Sequence, residues 1–172
     1  KKLIIDELKS QAIFVENKDY YKTNMVNSLF CPSKLINEDI IFIYSDIIFD
    51  QKIIQKLLNK NKTIIPLNYD WLKNWKKRMP IEKIYEDAED VNMKYNKLKS
   101  IGNKIRNGKL PKMQYMGMMR INNDHYHKMH SFYKKIKNKN IDFTSFINLI
   151  LKKNLLDISY TKNNSFWTEI DS

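Results

Sequence analysis

Two carboxylates follow apolar, strand-like runs. Asp46 closes DIIFIYSD at residues 39–46, and Asp171 comes directly after SFWTEI at 165–170. In open α/β sheets ligands bind beyond the carboxyl ends of the strands, so acids in that position are the first candidates for chemistry. If both strand ends open onto one crevice, the pair can share a Mg²⁺ and leave its other coordination positions to water and substrate phosphates. Such an ion neutralises charge at a phosphorus under attack. Spacing alone, however, favours two unrelated surface acids over a metal pair.

Other reactive side chains carry less. His125, His127 and His130 in HYHKMH share no single helical face, so three convergent zinc ligands are not expected and solvated histidines are. Cys31 has no histidine near it in sequence and reads as a small buried hydrophobe. No glycine-rich phosphate loop of the G-x-x-x-x-G-K or G-x-G-x-x-G type occurs.

The elements that must position these groups alternate along the chain. Leu3, Ile4, Ile5 and Leu8 form a short helical stripe, and AIFVE at 12–16 reads as a buried strand. DIIFIY at 39–44 is a second strand, followed by a helix that Asp50 can cap and whose Ile53, Ile54, Leu57 and Leu58 share a face. KTIIPLN at 62–68 is a third strand, in which Pro66 argues for an end or an edge. This β-α-β order implies a parallel pair. YDWLKNWKKRMP is an aromatic, basic helix stopped before Pro80, and residues 81–111 look like hairpin pieces outside the main sheet. KMQYMGMMRI at 112–121 is a long strand with Gly117 inside it, marking either a bulge or the close approach of a ligand or backbone. Asp142 is the N-cap of a clean amphipathic helix bearing Phe143, Phe146, Ile147, Ile150 and Leu151, and LLDISY and SFWTEI finish as strands. The pattern is a three-layer α/β fold in one domain, with an insertion at about 81–111.

Composition narrows the partners. A chain of 172 residues can bury a core without disulfides, and its apolar runs are too short for a membrane span. The lone cysteine and the lack of a secretory pattern point to the cytoplasm. The formal charge of +12 invites a nucleic-acid reading, but among the 31 basic residues only Arg78, Arg106 and Arg120 carry the guanidinium fork that base and phosphate recognition favours. The lysines are scattered, so a solvated surface attractive to anionic substrates is expected over nucleic-acid contact.

In sequence order the chain carries FVENKDYYKTNMVNSL, DIIFIYSDIIFD, PLNYDWLKNWKKR, DAEDV, MQYMGMMRI, IDFTSFINLI and FWTEID. Together these resemble the nucleotidyltransferases that load a nucleoside monophosphate onto a small phosphorylated compound, most closely the bacterial phosphocholine cytidylyltransferase-like branch. The resemblance covers nearly all of the chain. It implies a Rossmann-like three-layer α/β/α domain with a mixed, mainly parallel sheet. It also implies CTP or another nucleoside triphosphate, Mg²⁺, and pyrophosphate release by in-line attack of the acceptor phosphate.

The family's metal aspartates fall on Asp46, where Ser45 replaces the usual glycine, and on Asp171. Glu169 belongs to the same closing motif and is a further substrate-binding candidate. Asn24 and Ser28 match a segment that contacts nucleotide or acceptor, although either could be a helix cap. For a cationic choline-like acceptor, aromatic faces are the expected cage, and Trp71, Tyr115 and Trp167 match aromatic positions of the resemblance, with Asp70 as a counter-charge and Gly117 nearby. The family's opening strand and glycine-rich loop, with the arginine and lysine that grip the triphosphate, have no counterpart in this sequence. The chain alone, lacking the first strand-loop-helix unit, is therefore expected to be inactive: a fragment of a longer enzyme is preferred over a chain whose partner supplies the loop or a degenerate relative. A role in surface-polysaccharide decoration follows from family habit, and a homodimer is one oligomeric state that the sequence leaves open. The rival readings are a sugar-1-phosphate or phospho-amine or phospho-amide nucleotidyltransferase and a non-catalytic basic nucleic-acid-binding module.

Overall fold

The computed structural model describes residues 2–105 and 108–170. Two helices open the chain, α1 (Lys2–Leu8) and, after a short 3₁₀ turn, α2 (Met25–Phe30). They are followed by β1 (Ile40–Ile43), β2 (Ile47–Phe49), α3 (Lys52–Leu58), β3 (Ile64–Asn68), α4 (Trp71–Trp75) and α5 (Ile81–Asp87). Then come β4 (Glu89–Lys94), β5 (Lys97–Lys104), β6 (Gln114–Tyr115), β7 (Met118–Ile121), α6 (Asn123–Lys135), α7 (Phe143–Lys152), β8 (Ser159–Asn163) and β9 (Trp167–Glu169).

The main sheet is mixed, in the order β1-β7-β3-β8-β5-β4, with β6 also paired to β3. β3 and β8 pair in parallel over Ile64–Asn68, and the remaining pairs are antiparallel. Following the pairings across the sheet, β1, β3, β8 and β4 run one way and β7, β6 and β5 the other. β1 and β3 therefore share a direction, as the β-α-β order implied, but β7 lies between them, so they are not neighbours.

Two apolar clusters fill the two faces. One joins α2, α6 and α7 to the sheet through Ile65, Leu67, Met119 and Ile121, and the other joins α3, α4 and α5 through Ile64 and Met118. The alternation of Ile64 with Ile65 and of Met118 with Met119 is the period of two that a central strand needs to feed both layers. Helix α7 shows how local signals and packing agree. Asp142 accepts the backbone N–H of Ser145 at 2.8 Å, and the helix ends with Asn154 at φ +49°. Leu155 N–H donates to the Ile150 carbonyl and Asn154 N–H to that of Leu151, the paired bonds of a left-handed C-terminal cap. Its buried Phe143, Phe146, Ile147 and Ile150 contribute about 1.5–3 kcal/mol each.

Several expectations are corrected. Residues 12–16 form no strand, and Ile13, Phe14 and Val15 are exposed, because no described strand pairs with them. Pro66 lies in the middle of the sheet. It is tolerated there because β3 meets β7 only at Ile64 and β6 only at Leu67 and Asn68, so the missing N–H falls in the gap between those strands. The run 112–121 is split at Gly117, whose φ of +68° interrupts the ladder and separates β6 from β7. The hairpin β4–β5, turning through Tyr95 and Asn96 at φ +51° and +56° as a two-residue loop with both central residues left-handed, does not stand outside the sheet. It extends the edge beside β8.

Candidate active site

The shared direction of β1 and β3 puts their carboxyl ends at the same edge of the sheet. There β1 ends in the turn Tyr44–Asp46, and β2 begins at once, pairing antiparallel with β9 so that Ile47 faces Glu169. Ile170 N–H donates to the Asp46 carbonyl at 2.6 Å, carrying this ribbon one step further. The Asp46 carboxylate is exposed, and no hydrogen bond or ion pair from a described residue engages it. Asp171, the other expected metal ligand, lies outside the described residues.

Gly117 holds the turn in place. Its carbonyl accepts the Tyr44 N–H at 2.8 Å. A β-carbon built on it would stand 3.0 Å from Tyr44 Cδ2 and 3.3 Å from Ile47 Cγ2. The glycine thus serves both a left-handed backbone and a close approach, here of the Tyr44 ring.

Two depressions meet at this edge. A groove of about 680 Å³ runs along β1 and is lined by Ser28, the β1 residues, Ser45 and Asp46. A cleft of about 350 Å³ lies beyond it, lined by Gln114, Tyr115, Gly117, Phe143 and the acids Asp87, Glu89, Asp142 and Glu169. Met25 and Tyr44 line both.

The electrostatics of the cleft follow from burial and charge. Burial, and then the Asp142 charge, push the Glu89 carboxyl above its ordinary range. Burial acts the same way on Asp142, but the bonds it accepts from Ser145 and from the Thr144 hydroxyl outweigh it and hold that carboxyl low. The Tyr44 hydroxyl is pushed up by burial and by Glu89, and that of Tyr115 by burial and the neighbouring Tyr44. Both tyrosines therefore stay protonated.

No group of His, Cys, Asp and Glu side chains able to hold a metal converges among the described residues. His125 Nδ1 lies 2.7 Å from Thr63 Oγ1, His130 stacks on Phe30, and His127 is exposed. An unengaged carboxylate at a strand end nevertheless fits Mg²⁺, which takes one or two protein carboxylates and fills its octahedron with water and phosphate oxygens.

No protein-family model matches the chain. It is 32% identical over 178 residues to the CTP:phosphoglutamine cytidylyltransferase of Campylobacter jejuni, covering 92% of this chain and 68% of that protein. The chain belongs to the cytidylyltransferase-like nucleotidyltransferases. The inositol-1-phosphate CTP transferase from T. maritima shares the fold, with a TM-score of 0.73 at 16% identity, over 99% of this chain and 64% of that one. So does the UTP-bound UGPase from Acinetobacter baumannii, with a TM-score of 0.57 at 10% identity, over 85% and 51%. The chain spans about two-thirds of the length of the first two and half of the third.

Within this nucleotidyltransferase domain the expected site residues separate. Tyr115, Gly117 and Glu169 share the acidic cleft, and Ser28 and Asp46 share the adjoining groove. Ser28 Oγ accepts a hydrogen bond from Asn17 Nδ2 at 3.0 Å. The Asn24 side chain is spent on capping α2, accepting the Met25 N–H at 2.7 Å. Asp70, Trp71 and Trp167 line neither depression. Asp70 is exposed at the start of α4. Trp71 is 1% exposed and donates its indole N–H to the Pro111 carbonyl, while Trp167 is 0% exposed and stacks on Trp75 at 6.3 Å. The expected cage of Trp71 and Trp167 is corrected on that ground: both rings are core.

Tyr44, Asp87, Glu89, Gln114 and Asp142 were not singled out as binding residues from the sequence. Glu89 sits in the DAEDV motif and Asp142 was legible as a helix cap, but neither signal tells which way the carboxylate faces. Gln114 carried no signal, since a glutamine within a strand-like run does not tell what its amide meets.

Proposed function

We propose that the chain is the metal- and acceptor-binding part of a Mg²⁺-dependent cytidylyltransferase, which transfers CMP from CTP to a small phosphorylated acceptor and releases pyrophosphate. The observation that carries this reading is the exposed Asp46 carboxylate at the carboxyl end of β1, tied through its carbonyl to the ribbon that leads into Asp171 and adjoining the acidic cleft. The C. jejuni relative supplies the choice of CTP and of a phosphorylated nitrogen compound as acceptor. Phosphocholine is one such compound, but burial of Trp71 and Trp167 removes the argument that favoured it.

In this reaction an oxygen of the acceptor phosphate attacks the α-phosphorus of CTP. The new O–P bond forms as the bond to the α,β-bridging oxygen breaks, and pyrophosphate leaves with the electron pair. Asp46, together with Asp171, would hold the metal, which when bound would neutralise charge on the triphosphate and its leaving group. Ser28 and the β1 edge border the nucleotide side, and the cleft around Tyr115, Gly117 and Glu169 orients the acceptor. Gly117 sets the position of the Asp46 turn through Tyr44.

Pyrophosphate release by the intact protein, with each nucleoside triphosphate against a panel of phosphorylated amines, amides and hexoses, tests this reading. CTP with a phosphorylated nitrogen compound should be turned over, and Asp46→Asn should cut that turnover by at least about 100-fold, the upper end of what changes to a metal's supporting shell cost. Full turnover by Asp46→Asn would refute the metal assignment. Preference for a hexose phosphate would refute the acceptor, and binding of oligonucleotides that falls steeply with salt, without turnover, would favour a basic binding module instead.

A further inference from the structure

The cleft beside Gly117 carries a charge opposite to that of the chain around it. Lysines and arginines number 31 against 19 acids, yet Asp87, Glu89, Asp142 and Glu169 line this cleft and, among the described residues, no lysine, arginine or histidine does. Arg78 reaches Glu169 at 3.7 Å from outside the lining, and one Asp142 oxygen is engaged in capping α7. No described hydrogen bond or ion pair engages the carboxylates of Asp87 or Glu89. A phosphate would be repelled here. A cation would be welcomed.

A second observation identifies what kind of cation. Gln114 is 4% exposed, and its Oε1 meets no donor among the described residues. The hydroxyl of Tyr115, equally buried, approaches that of Tyr44 without forming a hydrogen bond of ordinary geometry. A buried polar atom left without a partner costs about 1–3 kcal/mol, and native proteins hold few of them. A carbonyl oxygen kept open at the base of a negatively charged cleft fits a ligand that brings its own N–H. The indole N–H of Trp75, which also lines the cleft, meets no acceptor among the described residues.

We propose that this cleft receives the ammonium group of the acceptor and selects an ammonium that bears N–H over a fully methylated one, with Glu89 and Gln114 as the specificity-determining side chains. The inference rests on the reading of the domain as the acceptor-binding part of a transferase. A trimethylammonium group has no hydrogen to donate and depends on free aromatic faces. Here Trp75 stacks on Trp167 and carries Arg78 at 5.6 Å from its ring, and Tyr115 stacks on Phe143 at 6.4 Å. The rings are largely engaged with one another, whereas the acceptor atoms are open.

Phosphoethanolamine and phosphocholine differ only in three N-methyl groups, and calorimetric titration of each into the intact protein with Mg²⁺ at pH 7.5 tests the proposal. Phosphoethanolamine should bind at least about ten-fold tighter, because a site built to hydrogen-bond an N–H rejects the analogue that lacks it. Glu89→Gln and Gln114→Met should each shrink that ratio to within about three-fold, with CTP affinity unchanged. Equal or tighter binding of phosphocholine, binding of neither, or a ratio that survives both substitutions would overturn it. Pyrophosphate release measured in parallel separates this inference from the function it rests on. A preference without turnover supports the cleft assignment and refutes the transferase, and turnover without a preference does the reverse.

Discussion

Replacing Gly117 by alanine should strain the site in two separable ways. The backbone sits at φ +68°, where a β-carbon costs about 1–2 kcal/mol. The same β-carbon would stand 3.0 and 3.1 Å from Tyr44 Cδ2 and Cγ and 3.3 Å from Ile47 Cγ2. The Tyr44 contacts are ring atoms near the root of the side chain, packed against Phe42, Tyr115 and Phe143, so they cannot swing clear as a flexible tip would. Overpacking of this kind costs about 1–3 kcal/mol. The sum, about 2–5 kcal/mol, is a large part of the 5–15 kcal/mol that holds an ordinary domain together. In urea unfolding at 25 °C, with a slope of about 2 kcal/mol/M, the midpoint should fall by about 1–2.5 M with the slope unchanged. In a Tyr44→Ala background most of the steric part disappears, with only the Ile47 contact left, and the same substitution should cost little more than the backbone part, about 1–2 kcal/mol. Equal costs in both backgrounds would refute the close approach. A cost under about 0.5 kcal/mol in the parent would refute both parts of the reasoning.

Glu89→Gln should stabilise the protein at pH 8 and not at pH 3.5. The folded-state carboxyl is raised by burial and by Asp142, so the native chain holds that proton more tightly than the unfolded one. Stability is lost as pH rises from the unfolded value toward the raised one, and removing the charge restores it only above that window; an equal effect at both pH values in urea unfolding would contradict this. Asp39→Ala should cost about 2–3 kcal/mol in the same assay, because it leaves the Arg120 guanidinium, only 8% exposed, without the carboxylate 2.6 Å away, and also frees the Asn123 N–H; a change within 0.5 kcal/mol would show the pair to be idle. Asp142→Ala should cost about 1 kcal/mol through the lost cap and let Glu89 titrate lower, which the carboxyl carbon shift of Glu89 reads directly. An unmoved Glu89 titration would show that Asp142 does not reach it.

What could be read without a structure was mostly local. The β-branched run at 40–43, the helix at 143–152 with its Asp142 cap and the strand at 64–68 are each specified by side chains within a few residues, through period, capping and branching. The ordered motifs further carried the family, because together they span nearly the whole chain. The failures share one cause. AIFVE has the composition of a buried strand, but a strand exists only if another strand offers it hydrogen bonds, and no described residue does. Pro66 reads as an edge signal until β6 and β7 are seen to leave its missing N–H unclaimed.

The candidate site divides in the same way. Asp46 was legible because an acid directly after an apolar strand has a defined place at the sheet edge, whatever the rest of the fold does. Trp71 and Trp167 looked like binding surface because aromatic side chains serve cages and cores equally well by sequence, and only packing against Trp75 assigns them to the core. The acids of the cleft come from the end of α5, from β4, from the N-cap of α7 and from β9, separated by up to 82 positions from Asp87 to Glu169. Their convergence, the shift it imposes on Glu89 and the open carbonyl of Gln114 are properties of distances between elements, which tertiary packing alone decides.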